Sequence, residues 1–193
     1  DATSTSMKKG PSVAIIVPYR DIHQAQKRSK HLQRFIPHMR KFLNQQIENN
    51  RIKDYHIYII EQSNDNRKFN RGKLLNIGFD IATANANNTA HTSSKTRNTC
   101  PQRTRSTDTQ TQTIYDHDIF IFHDVDLLPS QQLSKYYTQY PTVPLHIARV
   151  WERYSNNPKY FGGIVSFSKQ DMLRINGYPN TLDEGADAET VIE

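Results

Sequence analysis

Cysteine is almost absent from this chain, with Cys100 alone among 193 residues. One thiol can form neither an internal disulfide nor a cysteine metal cluster, and it leaves the redox compartment open. Long apolar runs are missing too. None approaches the roughly 18 residues needed to span a bilayer, and no signal peptide opens the sequence. Hydrophobic residues make up 35% of the chain and mean hydropathy is -0.78, low for a compact globule. Much of this polarity lies in residues 84–113 (ANANNTAHTSSKTRNTCPQRTRSTDTQTQT), which contain no aromatic residue and no Val, Ile, Leu or Met. Such a stretch buries too little apolar surface to offset the entropy of ordering, and it is predicted to be a disordered insertion. Lys95, Arg97, Arg103 and Arg105 against Asp108 place half of the formal +6 charge there. A nucleic-acid binder gathers its positive charge on one face beside stacking aromatics, so this pattern reads as a solvated basic surface with no nucleic-acid partner.

What remains alternates between strand and helix signals. SVAIIVPYR (12–20) is a short apolar run closed by Pro18, the pattern of a buried strand. From His23 to Ile47, the residues Leu32, Phe35, Ile36, Met39, Phe42 and Leu43 recur at helical spacing, and Pro37 predicts a kink or two helices. YHIYIIEQ (55–62), rich in β-branched and aromatic residues, reads as a second strand. NRGKLLNIGFDIA (70–82) reads as a helix whose Gly72 and Gly78 suit close packing. A third strand, 118–123, precedes a polar helix near 130–138, the apolar PLHIARV and a strand GGIVSF (162–167). Ser168 opens the last helix, with Asp171 three residues on as a capping-box pair. Strands alternating with helices predict an α/β architecture with a mostly parallel sheet.

The chemistry gathers where the third strand ends, in HDVDLLP. Asp124 and Asp126 flank one valine and face the same side if the extended geometry persists. In open α/β sheets ligands bind beyond the carboxyl ends of strands. Two carboxylates forced together there repel, and a divalent cation removes the penalty. Hard oxygen ligands suit Mg²⁺ or Mn²⁺, whose open positions take phosphate oxygens. Arg20, at the end of the first strand, could reach the same crevice, or else pair with Asp21. Phe69 and Arg71 stand just before a helix, where an aromatic stacks on a base and a helix N-terminus favours anions; a core Phe and an exposed Arg are the plainer alternative. The glycines of YFGG (160–163) permit close backbone approach or make an ordinary turn.

VAIIVPYR, FNRGKLLNIGF, FHDVDLLP and YFGGIVSFSKQDMLRINGYPN, in that order, resemble the β-1,4-galactosyltransferase family (glycosyltransferase family 7). The resemblance covers most of residues 13–180. PHMRKFL, YHIYIIEQ and HDVDLLP are most similar to the xylosylprotein branch, which adds galactose to xylose in the linkage region of proteoglycans. The resemblance implies a nucleotide-diphosphosugar transferase (GT-A type) fold with helices on both faces of the sheet. It implies UDP-galactose as donor, Mn²⁺ as cofactor and a xylosyl or N-acetylglucosaminyl glycan as acceptor. It also implies a Golgi-lumen, type II membrane setting through an anchor outside this chain. Residue by residue, it carries nucleotide contacts onto Pro18, Tyr19 and Arg20, and uridine flanking onto Phe69, Asn70 and Arg71. Asp124, Val125 and Gly163 then line the donor, Asp126 ligates the metal, and either Tyr154 or Tyr160 contacts the donor sugar.

The pattern breaks at two places. The family has an arginine where this chain has Ile22. After NGYPN the family has a tryptophan–glycine loop, an acidic cluster bearing the catalytic base and a later histidine ligand, whereas this chain reads TLDEGADAETVIE. Its only tryptophan, Trp151, lies upstream. His117, His123 and His146 match no family ligand and read as structural histidines. Asp187 or Glu189 could replace the base, but an acidic frayed terminus is the plainer reading, so the catalytic residue is left unassigned. The expected organisation is a stem over 1–12, a glycosyltransferase domain over 13–180 and a divergent or truncated tail over 181–193. Alternatives are a non-catalytic nucleotide-sugar or glycan-binding remnant, or a basic interaction protein acting through residues 84–113.

Overall fold

The computed structural model describes residues 10–22, 26–87 and 116–179. Its centre is strand β1, Ser12–Tyr19, buried along its whole length. β2 (Asp54–Glu61) and β3 (Ile119–His123) pair with it in parallel, one on each side. A strand flanked by parallel neighbours and covered on both faces has no solvent side, which is why VAIIV is continuously apolar rather than alternating. β5 (Ile164–Ser168) joins β3 antiparallel, and the short β4 (Leu145–His146) pairs antiparallel with β5. The order is β2-β1-β3-β5-β4, so β5 alone runs against the other four.

The chain leaves β1 toward β2 through helix α1 (Arg28–Glu48), then returns past β1 to β3 after helix α2 (Arg71–Asn87). Right-handed crossovers in opposite directions place their helices on opposite faces. Val13, Ile15, Val17 and Tyr19 accordingly pack with Phe35, Met39, Phe42 and Leu43 of α1. Ala14 and Ile16 pack with Leu75, Phe79 and Ala82 of α2 and with Met172 of α5 (Lys169–Arg174). The order reverses at β1, so a crevice opens beyond the carboxyl ends of β1 and β3, the position where such sheets bind ligands. Two short helices, α3 (Ser134–Thr138) and α4 (Glu152–Ser155), lie in the connection between β3 and β5.

Two expected readings shift. α1 is one helix across Pro37, not two. Pro37 and Gln33, whose carbonyl loses its amide partner, are both exposed. Water can satisfy that carbonyl while the buried face holds the helix together. α2 extends to Asn87, so residues 84–87 are helical rather than part of an insertion; residues 88–115 lie outside the described residues, as do 180–193. At the other end, β1 begins at Ser12, as the apolar run 12–20 predicts. Lys53 N donates to the Pro11 carbonyl at 3.0 Å, tying that end to β2. Ser168 caps α5 as read, accepting from Asp171 N at 3.0 Å.

Gly78 shows why α2 tolerates a glycine. A Cβ there would lie 2.4 Å from Ile16 Cγ2 and 3.0 Å from Ile60 Cγ1. Alanine gains about 1 kcal/mol of helix propensity, but overpacking against stiff β-branched side chains costs roughly 1–3 kcal/mol. Gly78→Ala is expected to lower the urea midpoint; a higher midpoint would mean the sheet gives way at no cost.

At the amino end of the sheet, His117 is buried against Ser12 Oγ (2.8 Å) and Tyr58 Oη (2.9 Å). Burial, only partly opposed by Asp54, lowers its pKa to about 4. His123, fully buried beneath the crevice, is lowered to about 4 by the same dominant cause. Both titrate near 6.5 once unfolded. The folded state thus binds fewer protons, and the stability these groups contribute is fully present above pH 6.5 and is lost as pH falls toward 4. By pH 5 the loss is roughly 2 kcal/mol for each. Denaturant titrations at pH 7.5 and pH 5 should show it, and His117→Gln should shrink the difference.

Candidate active site

The loop after β3 is fixed by its backbone. Asp124 N donates to the Gly163 carbonyl at 2.8 Å, extending the β3–β5 pairing, and Leu127 N donates to the Asp124 carbonyl at 3.3 Å. Beneath it, His123 Nδ1–H donates to the same Asp124 carbonyl at 2.8 Å, while Tyr137 Oη donates to His123 Nε2 at 2.8 Å. A carbonyl only accepts, so this contact sets the tautomer. Val125 and Leu127 turn into the core at 2% and 6% exposure. Their burial leaves the carboxylates of Asp124 and Asp126 in the crevice.

The two carboxylates are not left to repel each other, because each has its own arginine. Arg71 Nε and Nη2 lie 3.1 and 2.9 Å from Asp124 Oδ1, with the two side chains 16% and 22% exposed. Burial alone would lower the Arg71 pKa; Asp124 and then Tyr178 outweigh it and hold the guanidinium charged. Arg71 stands at the start of α2, just after Asn70, whose Oδ1 accepts from Lys73 N at 2.9 Å as a cap. Arg71, expected to flank the uridine, thus also secures the first aspartate. Arg153 faces the second: its Nη2 lies 3.6 Å from Asp126 Oδ2, with 56% of its side chain exposed. Nothing in the sequence pointed to Arg153. It stands on α4, far along the chain from Asp126, and only the return of β5 beside β3 brings them together.

Tyr154 and Tyr160, left as alternatives by spacing, are neighbours. Their rings stack at 5.3 Å and 14°. Burial first, then the nearby Asp124, pushes the Tyr154 hydroxyl up to about 12 and raises that of Tyr160. Gly163 has φ of +76°, and a Cβ there would lie 2.8 Å from Ala148 Cβ and 3.0 Å from Tyr154 Cζ. His146, read as structural, donates from Nε2 to the Gly162 carbonyl at 2.8 Å and packs near both tyrosines. Gly163→Ala is expected to cost about 1–3 kcal/mol and to shift the Asp124 backbone it supports. Thermal unfolding of the variant measures this, and an unchanged midpoint would contradict it.

At the end of β1, Pro18 and Tyr19 are buried strand residues. Arg20 donates to the Arg67 carbonyl, and its Nε is buried without a hydrogen-bond partner among the described residues. A cleft of about 330 Å³ opens here, lined by residues 20–22 and 61–64. Ile22 is one of its walls, where the resembling family has arginine. Gln62 Oε1 accepts from Asn70 N at 2.9 Å and Gln62 Nε2 donates to the Lys68 carbonyl at 3.0 Å, holding the loop that carries the half-buried Phe69.

As a metal site, the described residues contain no group of three or more His, Cys, Asp or Glu side chains. Asp124 is committed to Arg71, and both ring nitrogens of His123 are engaged. Asp126, partly exposed and more loosely paired, is the one carboxylate of the pair available to a hard cation. One carboxylate plus phosphate oxygens is a usual way to hold such an ion beside a nucleotide, so the residues fit that role.

A mixed sheet with a switch point at β1, an Asp-x-Asp turn after β3 and a cleft at the end of β1 define a GT-A type nucleotide-sugar transferase fold. The catalytic domain of Drosophila β1,4-galactosyltransferase 7 in complex with xylobiose superposes with a TM-score of 0.60 at 26% identity, over 93% of this chain and 58% of that one. A mutant of the same enzyme in complex with manganese, UDP-Gal and xylobiose gives 0.59. Residues 4–92 match the N-terminal region of glycosyl transferase group 7, and residues 143–184 match the N-terminal domain of galactosyltransferase. β-1,4-Galactosyltransferase 1 of Mus musculus is 32% identical over 173 residues, covering 87% of this chain and 32% of the relative. β-1,4-Galactosyltransferase 4 of Homo sapiens is also 32% identical, covering 87% and 37%. The chain belongs to the β-1,4-galactosyltransferase family of glycosyl transferase group 7. It spans about a third of the length of these curated relatives.

Proposed function

We propose that this chain forms the donor-binding part of an inverting galactosyltransferase that moves galactose from UDP-galactose to an acceptor sugar, making a β-1,4 linkage. The observation that carries the reading is the unequal anchoring of the two carboxylates: Asp124 is locked by two short contacts to Arg71, while Asp126 keeps one longer contact to an exposed arginine. In this reading residues 13–180 are the domain and Asp126 holds Mn²⁺. When bound, the cation offsets the charge developing on the departing diphosphate. Arg20, with its unpartnered Nε, and the cleft beside it receive the nucleotide, with Pro18 and Tyr19 as its floor and Phe69 and Asn70 at its flank. Asp124, fixed by Arg71 and the Gly163 carbonyl, lines the donor beside the Val125 backbone, whose side chain is buried beneath. The paired rings of Tyr154 and Tyr160 wall off water on the far side. The base that deprotonates the acceptor is assigned to no described residue.

Xylose is the favoured acceptor, supported by the neighbour solved with xylobiose and by the resemblance to the xylosylprotein branch. A Golgi-lumen setting in a longer, membrane-anchored protein accompanies this reading. No helix among the described residues is long and apolar enough to cross a membrane. The test is incubation with UDP-galactose, Mn²⁺ and either a β-xyloside or an N-acetylglucosaminide, with products weighed by mass spectrometry. A galactosyl-xyloside is expected. Product from N-acetylglucosamine alone would remove the xylose assignment, and UDP binding indifferent to Mn²⁺ would remove the donor-site reading.

A further inference from the structure

Arg153 is held in a way that lets it leave. Its 3.6 Å contact to Asp126 is beyond ordinary hydrogen-bond length, and more than half of the side chain is in solvent. Its other described partner is the adjacent Tyr154, whose hydroxyl accepts from Nη2 and whose ring lies 4.5 Å beneath the guanidinium. Exposed pairs of this kind are weak. A guanidinium also pairs with phosphate as readily as with carboxylate, through the same fork of donors.

We propose that Arg153 serves two partners in turn. In the metal-free site it neutralises Asp126 and so competes with the divalent cation; once the cation takes Asp126, Arg153 turns to the diphosphate of the donor. The inference deepens the proposed function and rests on Asp126 as the metal ligand. Arg153 thereby disfavours cation binding without nucleotide and favours the two together.

The experiment measures bound Mn²⁺ by electron paramagnetic resonance, with no turnover required, and UDP affinity by calorimetry at saturating Mn²⁺. The proteins are the parent chain, Arg153→Gln, Arg153→Lys and Asp126→Asn. Arg153→Gln is expected to bind Mn²⁺ alone about threefold to tenfold more tightly, because a cation several ångströms from the site is gone. The same variant should bind UDP more weakly at saturating Mn²⁺. Arg153→Lys keeps the charge and loses the fork, so its Mn²⁺ affinity stays near that of the parent while its UDP affinity falls between the two. Opposite signs for metal and nucleotide separate this role from a structural one, which would weaken both. If Asp126→Asn loses Mn²⁺ but Arg153→Gln binds it no tighter than the parent, the exchange is overturned and the metal site stands. If Asp126→Asn binds Mn²⁺ as the parent does, the site reading and the exchange fall together.

Discussion

Arg71→Met is expected to lower the unfolding free energy by about 2–3 kcal/mol, among the larger losses for any single replacement in this fold. The guanidinium makes two contacts to one oxygen of Asp124 in a place where both side chains are mostly out of solvent. Removing one partner of a buried pair leaves the other charge uncompensated, at roughly 3–5 kcal/mol when burial is complete. The remaining exposure reduces that figure. Methionine refills much of the volume, so the loss reports the stranded carboxylate rather than a cavity. Asp124→Asn placed in the same background removes that charge and should return part of the stability. Urea denaturation of the parent, the two single variants and the double variant closes the cycle. Strict additivity of the two changes would show that Arg71 and Asp124 are not coupled.

The elements legible in the sequence were those whose signal is local. β1 and β3 are unbroken apolar runs, and an unbroken run means burial on both faces whatever the rest of the chain does. The Ser168–Asp171 cap of α5 also stood out, because capping is settled within four residues. Pro37 divides no helix in two, because its cost depends on which way Gln33 faces, and that is decided by packing of the opposite side of α1. The Asp-x-Asp turn drew attention as two like charges with no visible partner. Its partners, Arg71 and Arg153, come from α2 and α4, and no spacing rule connects them to β3. The stacking of Tyr154 on Tyr160 is not legible for a similar reason: the turn from α4 closed by Tyr160 N on the Asn157 carbonyl brings the rings together, and Gly162 and Gly163 leave the room they occupy.

Asp126→Asn should lose metal-dependent UDP binding while keeping the fold. The carboxylate is partly exposed and its contact to Arg153 is long, so its removal costs less than about 1 kcal/mol. That pairing also means that the charge repulsion expected from the sequence is already relieved, so the substitution brings no large gain in stability. Asp124→Asn should behave in the opposite manner, reducing stability through the loss of Arg71's partner and weakening UDP binding only by loosening the turn. The contrast between the two variants follows from the geometry and not from the motif, in which the two aspartates look alike.

Calorimetric titration of UDP into the parent and Asp126→Asn, each with and without Mn²⁺, tests the central claim most directly. Mn²⁺ is expected to strengthen UDP binding to the parent by tenfold or more, on the order of 1.4 kcal/mol, and to leave Asp126→Asn at its metal-free affinity. An equal response to Mn²⁺ in both proteins would contradict the account and reduce Asp124 and Asp126 to a polar turn at the end of a buried strand.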